Sequence, residues 1–245
     1  MYGCAIDVAF DTLPLSIEYS IGRGGRGATV KQTIITAVVR QFGNPRGAAG
    51  RVAGWVLAHR SSNRRRNEWV VSLLDVRPAD RVLEIGFGPG LAIAEVDRRI
   101  GPSGHVYGID HSDVMVRQAS RRNAAGIRAG RITLALASVE QLPPAFDGPF
   151  ETVFGVNTLA FWTEPVRRLD DLRRRLAPGG RIAIASQPRH PGVTRDPARA
   201  AAETADLFRK AGLTQVRSET LDLDPPVICV LGVNPGPSQE PGRNG

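Results

Sequence analysis

The distribution of apolar and polar residues divides the chain into a patterned body and two ends without pattern. From residue 81 onward, short apolar runs alternate with stretches in which apolar residues recur every three or four positions. The runs predict strands buried on both faces, and the three-to-four spacing predicts amphipathic helices. Strands are expected over 81–85, 105–109, 132–137, 152–156, 181–186, 215–223 and 227–233. Helices are expected over 91–100, 113–122, 165–176 and 198–211. Ser112 or Asp113 suits the start of the second helix, while Pro178-Gly179-Gly180 and Gly212 stop the third and fourth. Upstream, helical spacing runs from residue 48 to about 74, with Val52, Trp55 and Val56 in one apolar set and Trp69, Val70, Leu73 and Leu74 in another. Arg64-Arg65-Arg66 falls between the sets and reads as a solvated helix surface. Residues 1–45 carry no such pattern; their Gly22-Arg23-Gly24-Gly25-Arg26-Gly27 segment reads as flexible and basic.

Strands alternating with helices imply an α/β fold: a doubly wound, Rossmann-like, mostly parallel sheet of seven strands. The last two strands have only Asp224-Pro225-Pro226 between them, which makes the terminal strand antiparallel and places it at the sheet's end. The expected organisation is a flexible extension over 1–45, an N-terminal helical cap over 46–76, a ligand-binding domain over 77–233 and a frayed tail over 234–245.

Composition adds limits. At 245 residues with 42% apolar side chains, the chain suits one α/β domain with short additions. No apolar run approaches the roughly 20 residues that cross a bilayer. The first residues, with Asp7 and Asp11, do not read as a secretory signal. Cys4 and Cys229, at opposite ends, give neither a disulfide framework nor a thiolate metal site, and point to a reducing, cytoplasmic setting. The net charge of +8 invites a nucleic-acid partner. Yet every positive side chain except Lys31 and Lys210 is arginine, and Ala, Gly and Pro are abundant. Genome composition accounts for that balance more simply than a nucleic-acid surface does.

Candidate chemistry concentrates in Val82-Leu83-Glu84-Ile85-Gly86-Phe87-Gly88-Pro89-Gly90. A buried strand ends in an acid, and three glycines at alternate positions follow it into a helix. Glycines allow positive φ and bring a ligand close to bare main chain. A dinucleotide fingerprint, G-x-G-x-x-G, would put its third glycine at 91, where Leu91 stands. Asp110 ends the second strand, where an acid can accept both hydroxyls of a bound ribose. Glu84 would repel a pyrophosphate but could reach an ammonium group.

This G-x-G-x-G loop preceded by an acid resembles motif I of the class I S-adenosylmethionine (SAM)-dependent methyltransferases. Further segments carry the likeness: Ala137-Ser138-Val139-Glu140-Gln141-Leu142-Pro143 after the third strand, Phe150–Trp162 in the motif IV region, and Leu172–Ile184, which is similar to the family's R-x-L-x-P-G-G hallmark. The resemblance spans about 48–233 and is closest to small-molecule methyltransferases of the ubiquinone/menaquinone-biosynthesis type. It implies SAM held by Glu84, Gly86, Phe87, Gly88, Gly90, Asp110, His111, Ser138, Val139 and Asn157. Ser138 departs from the pattern, because an acid that binds the adenine amino group commonly stands there. The Val139 backbone N–H could still reach an adenine ring nitrogen.

The resemblance implies transfer of a methyl group to a small-molecule acceptor such as a quinol, phenol or lipid. Proton removal, where the acceptor needs it, points to His111 or His190. Trp55, His59, Phe161 and Trp162 are candidates for the acceptor pocket, and Arg64–Arg66, if not simply a solvated surface, would suit an acidic or phosphate-bearing acceptor. An RNA or protein methyltransferase is the alternative, although Gly155-Val156-Asn157-Thr158 is not the N/D-P-P-Y of many base and glutamine methylators. A non-catalytic SAM-binding protein is the third reading.

Overall fold

The computed structural model describes residues 61–187 and 196–236. The expected extension over 1–45, the first part of the helical cap and the last nine residues of the tail lie outside them. The described chain runs α1 (Ser61–Leu73), β1 (Arg81–Ile85), α2 (Leu91–Asp97), β2 (His105–Asp110), α3 (Asp113–Arg122), α4 (Ala124–Arg128) and β3 (Ile132–Leu136). It continues through β4 (Phe150–Val156), α5 (Pro165–Arg173), β5 (Leu176–Ser186), α6 (Pro197–Lys210), β6 (Thr214–Leu221) and β7 (Val227–Val233).

The seven strands form one sheet in the order β3-β2-β1-β4-β5-β7-β6. Pairings from β3 to β5 are parallel, and β7 is antiparallel to both its neighbours. The antiparallel strand was expected at the sheet's end. It lies one place in, because β6 arrives by a helical crossover parallel to β5 and the returning β7 fills the gap between them.

Strand alternation sends successive side chains to opposite faces. Val82 of β1 joins a core with Val70, Val71 and Leu74 of the α1 end, Ile93 and Val96 of α2, and Met115 of α3. Leu83 and Ile85 join the other, with Leu169 and Leu172 of α5 and Phe208 of α6. Each fully buried side chain of this size contributes roughly 1.5–3 kcal/mol against exposure.

Several element ends differ from expectation by one to three residues, and two differences change the packing. Helix α5 ends at Arg173 and β5 begins at Leu176, so Pro178-Gly179-Gly180 lies within the strand's irregular start rather than closing a helix. Asn234, expected to open the frayed tail, is buried; its N–H donates to Gly180 O, and its side chain donates to Leu176 O.

Candidate active site

Strand order reverses between β1 and β4: the chain builds outward from β1 to β3, then returns to the other side of β1. Such a switch point opens a crevice at the carboxyl ends of the central strands. The glycine loop lies there. Gly86, Gly88 and Gly90 have φ of 72°, 52° and 76°, the left-handed backbone anticipated from the sequence. A Cβ on Gly86 would stand 2.4 Å from Thr158 Cγ2, whereas one on Gly88 would meet nothing within 4 Å. One glycine admits the β4 loop, and the other faces open space. Phe87 turns its ring into the core, so what it offers the crevice is main chain.

Glu84 shares the face of Val82 and is 2% exposed. The backbone N–H of Ile93, in the first turn of α2, donates to its carboxylate, while Oε2 is buried without a partner. Burial first, and then the charge of Asp110, push the Glu84 carboxyl up to about 8. Asp110 is itself 5% exposed. Its Oδ2 accepts the Gly88 N–H at 2.8 Å, and its Oδ1 accepts the Ser112 N–H at 2.9 Å. Burial raises its carboxyl above the ordinary range, and those two N–H groups oppose the rise.

His111 is exposed, its Nδ1 3.9 Å from Asp110 Oδ1. His190, Trp55 and His59 lie outside the described residues. Ser138 and Val139 follow β3 beside a cavity of about 280 Å³ lined by Leu136, Ala137, Gln141 and Leu142. The Ser138 hydroxyl bonds to Glu140, which also takes Thr163 Oγ1, so the serine is tied into its own loop. Phe161 is 58% exposed while Trp162 is buried in the core beside α5, so only Phe161 is available to wall a pocket.

Asn157 ends β4 at φ 58°. Its Oδ1 accepts the Gln187 N–H at 2.7 Å, joining the ends of β4 and β5. Here the structure changes the reading of the arginine triplet. Arg64 and Arg65 are solvated as expected, but Arg66 is 8% exposed and its Nη1 donates to Gln187 Oε1 at 2.8 Å. The buried face of α1 comprises Asn63, Arg66, Asn67, Val70 and Val71, a helical stripe with polar members. Scoring that stripe by spacing instead of by apolar content would have revealed it.

Residues 82–180 match a family described as "Methyltransferase domain". The uncharacterized methyltransferase YdaC of Bacillus subtilis is 28% identical over 189 residues, 75% of this chain and 98% of the relative. The ubiquinone/menaquinone biosynthesis C-methyltransferase UbiE of Geotalea daltonii is 32% identical over 120 residues, 47% of this chain. This chain thus spans nearly all of YdaC but 49% of that UbiE. The fold matches a SAM-dependent methyltransferase from Aquifex aeolicus at a TM-score of 0.55 and 21% identity, covering 68% of this chain and 88% of the other.

Proposed function

We propose that the chain is a class I SAM-dependent methyltransferase that carries the methyl group to a small-molecule acceptor, with Glu84, the glycine loop and Asp110 holding the cofactor. SAM supplies an activated methyl on a sulfonium, so the protein's work is to hold and orient.

The observation that carries the site assignment is the unpartnered Oε2 of Glu84. A carboxylate that already takes an N–H of α2 occupies the helix terminus where a dinucleotide's pyrophosphate would bind. The same carboxylate suits the ammonium of SAM's methionine part. Gly88 leaves the backbone open to a ligand. Each Asp110 oxygen takes one backbone N–H and keeps a second lone pair, enough for one ribose hydroxyl apiece. Val139 and Ser138 lie where the adenine is expected, with the serine hydroxyl shared with Glu140. Asn157 stands at the β4 end, beside the point of transfer.

A small acceptor is supported by Gly155-Val156-Asn157-Thr158 at the end of β4, which lacks the N/D-P-P-Y sequence. The name of the UbiE relative points the same way. Quinols, phenols and lipids are the acceptor classes we place first. Where such a group must lose a proton, His111 is the described imidazole at this end of the sheet; His105 lies at the opposite end.

Two measurements test the reading. Calorimetric titration with SAM is expected to show binding, and none at millimolar SAM would reject the site. Incubation with SAM and a panel of phenols, quinols and lipids is expected to release S-adenosylhomocysteine. Release with RNA or protein alone would replace the acceptor class.

A further inference from the structure

We propose that Arg66 is a positioning residue of the methyl-transfer site, acting through Gln187 and Asn157 to hold Thr158 against the glycine loop. The inference rests on the cofactor reading above.

The links are continuous. Arg66 lies on the buried face of α1, and its guanidinium bonds to Gln187, 121 residues away. Gln187 is the first residue beyond β5 and is 5% exposed. Its Nε2 donates to Pro225 O at 2.7 Å, in the turn before β7. Its backbone N–H donates to Asn157 Oδ1 at 2.7 Å. The Asn157 N–H in turn donates to Ala185 O at 2.8 Å. These bonds fix Asn157 in left-handed backbone, a conformation that asparagine tolerates better than most residues. The reversal at Asn157 directs Thr158 inward, where it is 9% exposed and its Cγ2 closes on Gly86. Thr158 Oγ1 is buried without a partner, so the hydroxyl itself does not anchor this turn. Its placement depends on the bonds that come before it in the chain.

Arg66 reaches the end of β5 in this arrangement. It presents a planar donor to Gln187 from a helix that precedes the whole sheet, and so makes the cofactor crevice depend on how α1 is seated. A lysine could reach the same oxygen as a single point donor, without the fixed fork of a guanidinium.

A double-mutant cycle on the full chain tests this, with SAM as the probe. Arg66→Met keeps the length of the side chain and removes its donors. Asn157→Gly keeps the left-handed turn and removes the Oδ1 acceptor. Each single variant is expected to bind SAM about tenfold more weakly. The double variant should lose less than the product of the two, with a coupling of at least about threefold. Arg66→Lys should recover part of the affinity. Effects that multiply without coupling would show Arg66 to be only a stabiliser of α1 and overturn the proposal, as would unchanged affinity in Arg66→Met. Should Arg66→Met fail to fold, Arg66→Lys takes its place in the cycle, with a loss smaller than about tenfold expected and multiplication without coupling again overturning the proposal. Failure of the unaltered protein to bind SAM would overturn the cofactor reading, and this proposal with it.

Discussion

Glu84 is buried with one oxygen unpartnered and a second carboxyl nearby, and its titration should be visible in the whole protein. The free carboxyl titrates at 4.5 and the folded one at about 8. Between those values the folded state keeps a proton that the unfolded chain has lost, so stability falls as pH rises through that window. Glu84→Gln should therefore unfold at a higher temperature than the unaltered protein above about pH 8, with the two converging in acid. An ammonium favours the ionised carboxyl, so SAM binding should strengthen toward pH 8 and expel a proton. Calorimetry in buffers of different ionisation enthalpy reads that proton; heats that ignore the buffer would refute it. Gly86 and Gly88 make a second contrast. Gly86→Ala adds strain and a collision with Thr158, costing about 2–4 kcal/mol in denaturant unfolding. Gly88→Ala adds strain alone, about 1–2 kcal/mol, but should weaken SAM binding more than its stability loss suggests. Equal binding by Gly88→Ala and the unaltered protein would remove that glycine from the site. The glycines were legible in the sequence because the left-handed turn demands them, and the burial of Glu84 because the acid stands in an apolar run. The burial of Arg66 was not, because a charged side chain on a buried helix face looks like surface until its partner, 121 positions away, is known.

At the scale of elements, the strands were read to within a few residues wherever apolar runs met turn residues. β1 and β7 fall where their patterns end, since Gly86 and the Pro225-Pro226 turn leave little choice. The start of β5 was not legible. Leu176 pairs with Phe150, the ladder then slips, and regular pairing resumes at Arg181. A Pro-Gly-Gly sequence reads locally as a stop, but here tertiary bonds carry the strand through it. Asn234 supplies them, donating to Leu176 O and Ala177 O while its backbone pairs with Gly179 and Gly180. Asn234→Ala should cost about 1–3 kcal/mol, because it strands buried carbonyls, and thermal unfolding would measure it. A loss below a few tenths would mean that the turn holds itself. α4 was missed because five residues are too few to show a helical period.

For the whole molecule, strand alternation leads to the doubly wound, mostly parallel sheet with one adjustment, the inward position of β7. Among the described residues no helix is long and apolar enough to cross a membrane. The place of β7 has a further use. Cys229 lies in it, paired with Ala185 on one side and Glu219 on the other, fully buried, its thiol pushed by burial up to about 12. A thiol reagent can reach that sulfur only in molecules whose sheet has parted, which makes Cys229 a stopwatch for opening. In a Cys4→Ser background, the colour released by such a reagent should develop slowly, in step with rare excursions from the native state. SAM at about 100 times its dissociation constant should slow it about a hundredfold if parting the sheet also empties the crevice. A rate indifferent to SAM would instead show that this side of the sheet breathes while the glycine loop stays shut.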